Sequence, residues 1–378
     1  MHKTVQALLL LLFAAPAWAL AVSAVPAPPT VSATGYLLID IDSNRILAEQ
    51  GSDQRLEPAS LTKIMTAYAV FNELRDGSIK LTDQVLVSEK AWKTPGSRMF
   101  IEVNRRVSVE DLLKGMIVQS GNDASVALAE HVAGSEQAFA NLMNEHARRL
   151  GMRDTNFVNS TGLPDPEHYT TPRDIVRVTE AMIREFPEMY RLYSMREFTF
   201  NEIRQPNRNA LLWRDDSVDG VKTGHTEAAG YCLVSSAKRD GMRLVSVVMG
   251  SDSEKTRISA SQALLNYGFR FYETHRLYGG RDRLVRARVW MSDNQEIALG
   301  LAEDLHVTIP RRQYDRLAAR TEIRPLLRAP LAQGAEAGEL IVELDGEVVA
   351  RRPLIALEDA PEGSIWRRMI DTALMLLE

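Results

Sequence analysis

The hydrophobic period changes several times along this chain, and the order of those changes restricts the fold more than any other feature. Residues 35–51 alternate and then turn: Tyr36-Leu37-Leu38-Ile39-Asp40-Ile41, then Asp42-Ser43-Asn44, then Arg45-Ile46-Leu47-Ala48. A two-residue period broken by a polar turn predicts a β-hairpin. Pro58 then opens a helix, with Leu61, Ile64, Met65, Tyr68, Phe71 and Leu74 recurring at helical spacing. Ser108-Val109-Glu110-Asp111 resembles a capping box and leads a helical region that Gly151 closes. Residues 231–237 and 242–249 return to strand character across Lys238-Arg239-Asp240-Gly241, and 257–275 reads as a helix. Strands, a helical block, strands and a helix in that order imply an α/β (α+β) domain with an antiparallel sheet and a helical subdomain.

A second change falls at Tyr278-Gly279-Gly280. Beyond it come only short strand-like runs at 285–291, 296–300, 306–309, 323–327, 340–344 and 348–357, separated by turns such as Asp345-Gly346. The reading is a first domain over 25–278 and a small all-β, sandwich-like domain over 279–361. A chain of 378 residues with 45% hydrophobic and 25% charged residues excludes a polytopic membrane protein, a collagen-like chain and a wholly disordered one. The net charge of −5 offers no basic field for nucleic acid. The single cysteine, Cys232, rules out an intramolecular disulfide and a cysteine zinc cluster, and reads as a buried structural thiol. No histidine pair has the H-E-x-x-H spacing, so neither a metal nor another cofactor is expected.

Both ends are apolar. His2 and Lys3 precede an apolar run over 7–15, and Ala17-Trp18-Ala19 and Val22-Ser23-Ala24 each suit a signal peptidase. Residues 1–24 therefore read as a cleaved signal peptide, because the run is short of the roughly 20 residues a spanning helix needs. The Pro/Ala-rich stretch 25–32 reads as a linker. At the other end, Pro361-Glu362-Gly363-Ser364 reads as a tether. In the amphipathic helix that follows, Ile365, Trp366, Met369, Ile370, Ala373 and Leu374 oppose Arg367, Arg368, Asp371 and Thr372. Residues 362–378 are expected to bind a membrane surface.

Three motifs bear chemistry. In Ser60-Leu61-Thr62-Lys63, the serine and lysine stand at i and i+3 and share a helix face. A serine hydroxyl becomes a useful nucleophile only when a base takes its proton, and a lysine can do so only when burial or a nearby cation makes it neutral. Ser120-Gly121-Asn122 presents a hydroxyl and an amide from one turn. Lys222-Thr223-Gly224-His225-Thr226 reads as a strand, and Gly224 leaves room for a substrate backbone to lie along its edge. Each motif alone is commonplace.

In this order, however, the three resemble the signature of the penicillin-binding, active-site-serine transpeptidase and β-lactamase superfamily. With the signal, the β-rich second domain and the amphipathic tail, the chain looks like the low-molecular-mass D-alanyl-D-alanine carboxypeptidases. The resemblance implies that Ser60 is the acylated nucleophile, Lys63 its base and Ser120 a proton relay. It implies that Asn122 binds the substrate amide and that Lys222 adds positive charge beside Ser120 and Lys63, its repulsion helping to keep Lys63 neutral. The backbone N–H groups of Ser60 and His225 would form an oxyanion hole. Thr223, Gly224 and Thr226, with Arg208 and Arg257, would bind the peptide and its terminal carboxylate. The implied substrate is a peptidoglycan stem peptide, the implied inhibitors are β-lactams, and the implied place is the periplasm, at the outer face of the cytoplasmic membrane. A β-lactamase, an endopeptidase and a penicillin-binding sensor are rival readings. Glu167, in Pro164-Asp165-Pro166-Glu167-His168, does not match the loop glutamate of class A β-lactamases and reads as solvated. Ser160-Thr161-Gly162-Leu163 lacks the histidine some relatives carry there, so no residue is assigned to deacylation.

Overall fold

The computed structural model describes residues 25–375, so the signal reading over 1–24 lies outside the described residues. Five strands form the central antiparallel sheet: β1 (Gly35–Asp40), β2 (Arg45–Gln50), β3 (Val218–Thr226), β4 (Gly230–Arg239) and β5 (Met242–Ser251). Their order is β2-β1-β5-β4-β3, which leaves β3 at an edge.

Alternate residues of these strands point into different cores. Leu37, Val245 and Val247 join the helical block, whereas Leu38, Leu244 and Val248 face α5 (Glu254–Phe271). A sheet buried on both faces needs apolar residues at nearly every position, so the alternation expected over 35–51 does not hold in β1, whose six residues are all buried. The helical block contains α1 (Thr62–Arg75), α2 (Asn122–Ala133), α3 (Glu136–Arg149) and α4 (Pro172–Glu185). Every residue of α1 from Thr62 to Asn72 is buried, so this helix carries its polar side chains into the interior.

Several expected boundaries move: the strand expected over 285–291 is Val285–Arg288, that expected over 340–344 is Glu336–Leu344, and two differ more. The helix expected over 257–275 ends at Phe271, and Tyr272–Tyr278 is strand β6. Its aromatic and β-branched residues pair with Leu305–Pro310, here β9. The run expected at 323–327 is instead Leu317–Ile323, here β10, which is exposed along most of its length and so shows little apolar pattern. Pro325, lacking an N–H, stands just beyond its end.

The C-terminal β domain has a five-stranded antiparallel sheet of β7 (Val285–Arg288), β8 (Glu296–Gly300), β10, β11 (Glu336–Leu344) and β12 (Glu347–Ala356), in the order β7-β8-β12-β11-β10. Leu305, Val307 and Ile309 of β9 meet Leu340, Val342 and Leu354 in a shared core, giving the sandwich-like form. The two domains touch through the β1–β2 turn, where the Ser43 and Thr308 hydroxyls lie 2.6 Å apart and Thr274 donates to Asp40 at 2.5 Å.

Neither end behaves as a free linker. Val25 and Val31 pack against the α5 core, and the Tyr267 hydroxyl donates to the Pro26 carbonyl at 2.9 Å. The Gly363 N–H donates to the Met291 carbonyl at 2.8 Å, so the expected tether is pinned. The tail helix α6 (Ile365–Met375) docks by its polar face. Asp371 is fully buried, accepts the Met291 N–H at 2.7 Å and pairs with Arg367 at 3.1 Å. The apolar face is the exposed one: Ile365, Trp366, Met369, Ile370 and Leu374 all face solvent.

Candidate active site

Ser60 sits in a single turn, Ala59–Leu61, that feeds α1, and Lys63 lies in the first turn of that helix. Ala59 has φ of 46°, a left-handed conformation uncommon for alanine, immediately before the serine. The Lys63 Nζ reaches the Ser60 Oγ at 2.9 Å, the Asn122 Oδ1 at 2.7 Å and the Thr161 carbonyl at 2.7 Å. Two of these partners, an amide oxygen and a backbone carbonyl, can only accept. They take two N–H bonds, and the third direction on the nitrogen faces Ser60. That direction carries a proton in the ammonium and a lone pair in the amine. Burial pushes Lys63 down from 10.5 to about 7, against the opposing pull of Asp123. Near neutrality, then, the lone pair is available beside a serine hydroxyl.

Ser120 ends a π-helical turn, Gly115–Gln119, and adopts a left-handed conformation with φ of 68°. Such turns concentrate at functional sites because they redirect a side chain that a regular helix would point elsewhere. The Lys222 Nζ donates to the Ser120 Oγ at 2.9 Å and to the Thr223 carbonyl at 3.1 Å. Burial pushes the Lys222 ammonium well down, and repulsion from Lys63, Arg257 and Arg208 adds to it. Burial and a neighbouring cation are both expected to lower Lys63; in the structure, burial is the first cause for both lysines, and the repulsion between them bears on Lys222.

The Asn122 Nδ2 donates to the Pro95 carbonyl at 2.6 Å, and its backbone N–H donates to the Ser97 carbonyl at 2.7 Å. Asp123 accepts the N–H groups of Met99 and Phe100 at 3.0 Å and of Ile101 at 3.3 Å. Residues 95–101 are thus folded onto the Ser120-Gly121-Asn122 turn, an arrangement that no side-chain pattern in that segment announces.

Strand β3 runs beside the serine. A Cβ on Gly224 would sit 3.2 Å from the Ser60 N and 3.1 Å from the Pro58 carbonyl. Glycine lets the two backbones approach, and among the described residues the outer edge of β3 has no neighbouring strand. Lys222 and Thr223 are buried, whereas His225 is exposed and Thr226 half-exposed. Arg257 is buried and donates to the Gly224 carbonyl at 3.1 Å, with Glu254 at 3.3 Å. Arg208 is exposed, and its charge acts on Lys222. Cys232 is buried opposite Gly224, its thiol pushed up to about 11 by burial, which makes it a packing residue. Glu167 is exposed.

The loop through Thr161 matters more than its letters suggest, because it acts through carbonyls. Besides the Thr161 bond to Lys63, the Ser160 carbonyl accepts from Thr66 at 2.7 Å. Gly162 has φ of 83°, and a Cβ there would lie 1.7 Å from the Ala59 carbonyl oxygen. We expect Gly162→Ala to lower stability by about 2–4 kcal/mol and to slow acylation of the remaining folded enzyme. Urea midpoints and penicillin acylation rates check this; a wild-type rate and midpoint would refute it.

A buried lysine at a serine, a second lysine at a second serine, and an open strand edge define an active-site-serine acyl-transfer hydrolase. The family model described as D-alanyl-D-alanine carboxypeptidase matches residues 22–253, and that described as penicillin-binding protein 5, C-terminal domain, matches 272–362. The D-alanyl-D-alanine carboxypeptidase DacC of Escherichia coli (strain K12) is 46% identical over 355 residues, covering 92% of this chain and 89% of that relative. Penicillin binding protein 5 from Haemophilus influenzae superposes with a TM-score of 0.87 at 43% identity, over 89% of this chain and 100% of that one. Penicillin-binding protein D2 from Listeria monocytogenes, in its ampicillin-bound form, superposes with a TM-score of 0.60 at 28% identity, over 65% of this chain and all (100%) of that one. The chain belongs to the D-alanyl-D-alanine carboxypeptidase family, with the penicillin-binding protein 5 type of C-terminal domain.

Proposed function

We propose that the enzyme removes the terminal D-alanine of peptidoglycan stem pentapeptides through an ester on Ser60. The observation that carries this reading is the 2.9 Å contact between the Lys63 Nζ and the Ser60 Oγ, with the other two lysine directions occupied by acceptors. The Ser60 Oγ attacks the carbonyl of the penultimate D-alanine, and its proton passes to Lys63. The C–N bond breaks, Ser120 relays a proton to the leaving amine, and D-alanine departs. Water then hydrolyses the ester and regenerates Ser60.

The backbone N–H groups of Ser60 and His225 hold the developing oxyanion. The peptide adds as a strand along β3 beside Thr223 and Gly224, with the free Nδ2 hydrogen of Asn122 on its amide. Thr223 and Thr226, with the guanidinium groups of Arg208 and Arg257, supply donors and positive charge for its terminal carboxylate. A β-lactam carries the same electrophilic carbonyl and acylates Ser60 with slow release. Incubation with a D-Ala–D-Ala peptide and, in parallel, with penicillin tests the reading. Rapid D-alanine release with a long-lived penicilloyl adduct supports it. Rapid penicillin hydrolysis supports a β-lactamase instead.

The enzyme acts in the periplasm on the outer face of the cytoplasmic membrane, in cell-wall biogenesis and the maintenance of cell shape. Support for the membrane comes from α6, which turns its charged face to the protein and leaves Ile365, Trp366, Met369 and Ile370 more than half exposed. An outward apolar face costs free energy in water and gains it at a lipid interface. Deleting residues 363–378 is expected to move the protein to the soluble fraction while activity on free peptide persists; unchanged fractionation would sink the anchor.

A further inference from the structure

His168 belongs to no motif, yet it is the buried histidine nearest the Ser60-Leu61-Thr62-Lys63 turn. It is 2% exposed, on the returning arm of the loop whose outgoing arm carries Thr161. Its Nδ1 accepts the Val158 N–H at 3.2 Å. The ring proton therefore sits on Nε2, which lies 2.8 Å from the Thr62 Oγ1 and donates to it. One ring thus ties three segments: the outgoing arm at Val158, the returning arm at His168, and the helix of the nucleophile at Thr62. Phe157 packs edge-on against the ring at 5.7 Å, and isolated bridges from Asn156 to Tyr169 and from Leu56 to Thr170 close the loop's base.

We propose that His168 is a positioning residue for Lys63: by clamping the loop to Thr62 it holds the Thr161 carbonyl on the lysine nitrogen and keeps water out. This inference rests on the reading of Lys63 as the base. Thr62 and Lys63 are adjacent on α1, so a loop pinned at Thr62 has little freedom to leave Lys63. The neighbouring contacts agree, since Gly162 is pressed against the Ala59 carbonyl and the Ser160 carbonyl takes the Thr66 hydroxyl. The charges facing His168 are Asp165 on its own arm, Lys63 on α1 and Glu136 on α3. Burial holds the ring neutral, with its pKa lowered to about 4, so the Nδ1 acceptor persists throughout the working range of the enzyme.

The test uses the full mature chain, with acylation by penicillin followed from pH 5 to pH 9 and rates expressed per penicillin-reactive site. His168→Phe keeps a ring of similar size and removes both hydrogen bonds. It is expected to slow acylation about 10–100-fold at neutral pH. It should also move the midpoint of the acid limb up by about one unit, because water admitted beside Lys63 reverses part of the burial that lowered its pKa. His168→Gln restores a donor to Thr62 and should return the rate to within about threefold. Thr62→Val should imitate His168→Phe, and the double variant should be no worse than either single one. Thermal midpoints are recorded alongside. A merely structural role lowers the midpoint and the number of reactive sites without moving the limb, and that result overturns the proposal. A normal wild-type limb with an unmoved His168→Phe limb refutes this inference alone. A wild type with no acid limb refutes the reading of Lys63 as well.

Discussion

Replacing Ser60 by alanine leaves a folded protein that neither releases D-alanine nor binds penicillin covalently. The expected loss is roughly 10⁴-fold or more, since both bond-forming steps need the Oγ. The fold should survive because Lys63 keeps two of its three partners, Asn122 and Thr161, and a single hydrogen bond is worth about 1 kcal/mol net. A thermal midpoint close to wild type, together with absent fluorescent-penicillin labelling, is the predicted pair of results. Labelling that persists in Ser60→Ala would place the nucleophile elsewhere.

Lys63→Met should be nearly as damaging. Methionine fills a similar volume but offers no lone pair for the serine proton. Loss of a general base costs roughly 10²–10⁴-fold. The change also leaves the Asn122 Oδ1 and the Thr161 carbonyl without their donor, so some destabilisation accompanies it. The pH dependence separates chemistry from folding. With the Lys63 pKa lowered to about 7, the ammonium dominates below that pH and has no lone pair to receive a proton. The wild-type acylation rate should therefore rise about tenfold per unit up to pH 7 and level off above it. The residual rate of Lys63→Met should lack that limb. A wild-type rate that falls as pH rises from 6 to 8 would contradict the assignment of the base.

The parts of this site that depend on side-chain spacing could be read from the sequence. Ser60 and Lys63 stand one helical turn apart, and a strand bearing Lys222 and Gly224 was evident from its pattern. Backbone partners could not be read. Thr161 and Pro95 act through carbonyls, and a carbonyl has no letter of its own. Distant closures were equally silent: Asp123 caps residues 99–101, and His168 reaches Thr62 across 106 positions. In α6 the amphipathic pattern was plain, but periodicity does not say which face meets the protein. The buried Asp371 decides that, because its carboxylate finds the Met291 N–H and Arg367 and leaves the apolar face outward. Nothing in the sequence marks the helix end at Phe271, because Tyr272–Tyr278 holds no Gly or Pro to break a helix, and only the pairing with β9 selects a strand.

Peptide mapping of the penicillin adduct tests the central claim most directly. The native enzyme is incubated with penicillin near pH 8, quenched in acid, digested, and the modified peptide sequenced by mass spectrometry. One penicilloyl group per chain, on the serine of Pro58-Ala59-Ser60-Leu61, is the predicted result. A modified residue elsewhere, Ser120 included, or a chain left unmodified at saturating penicillin, would contradict the account.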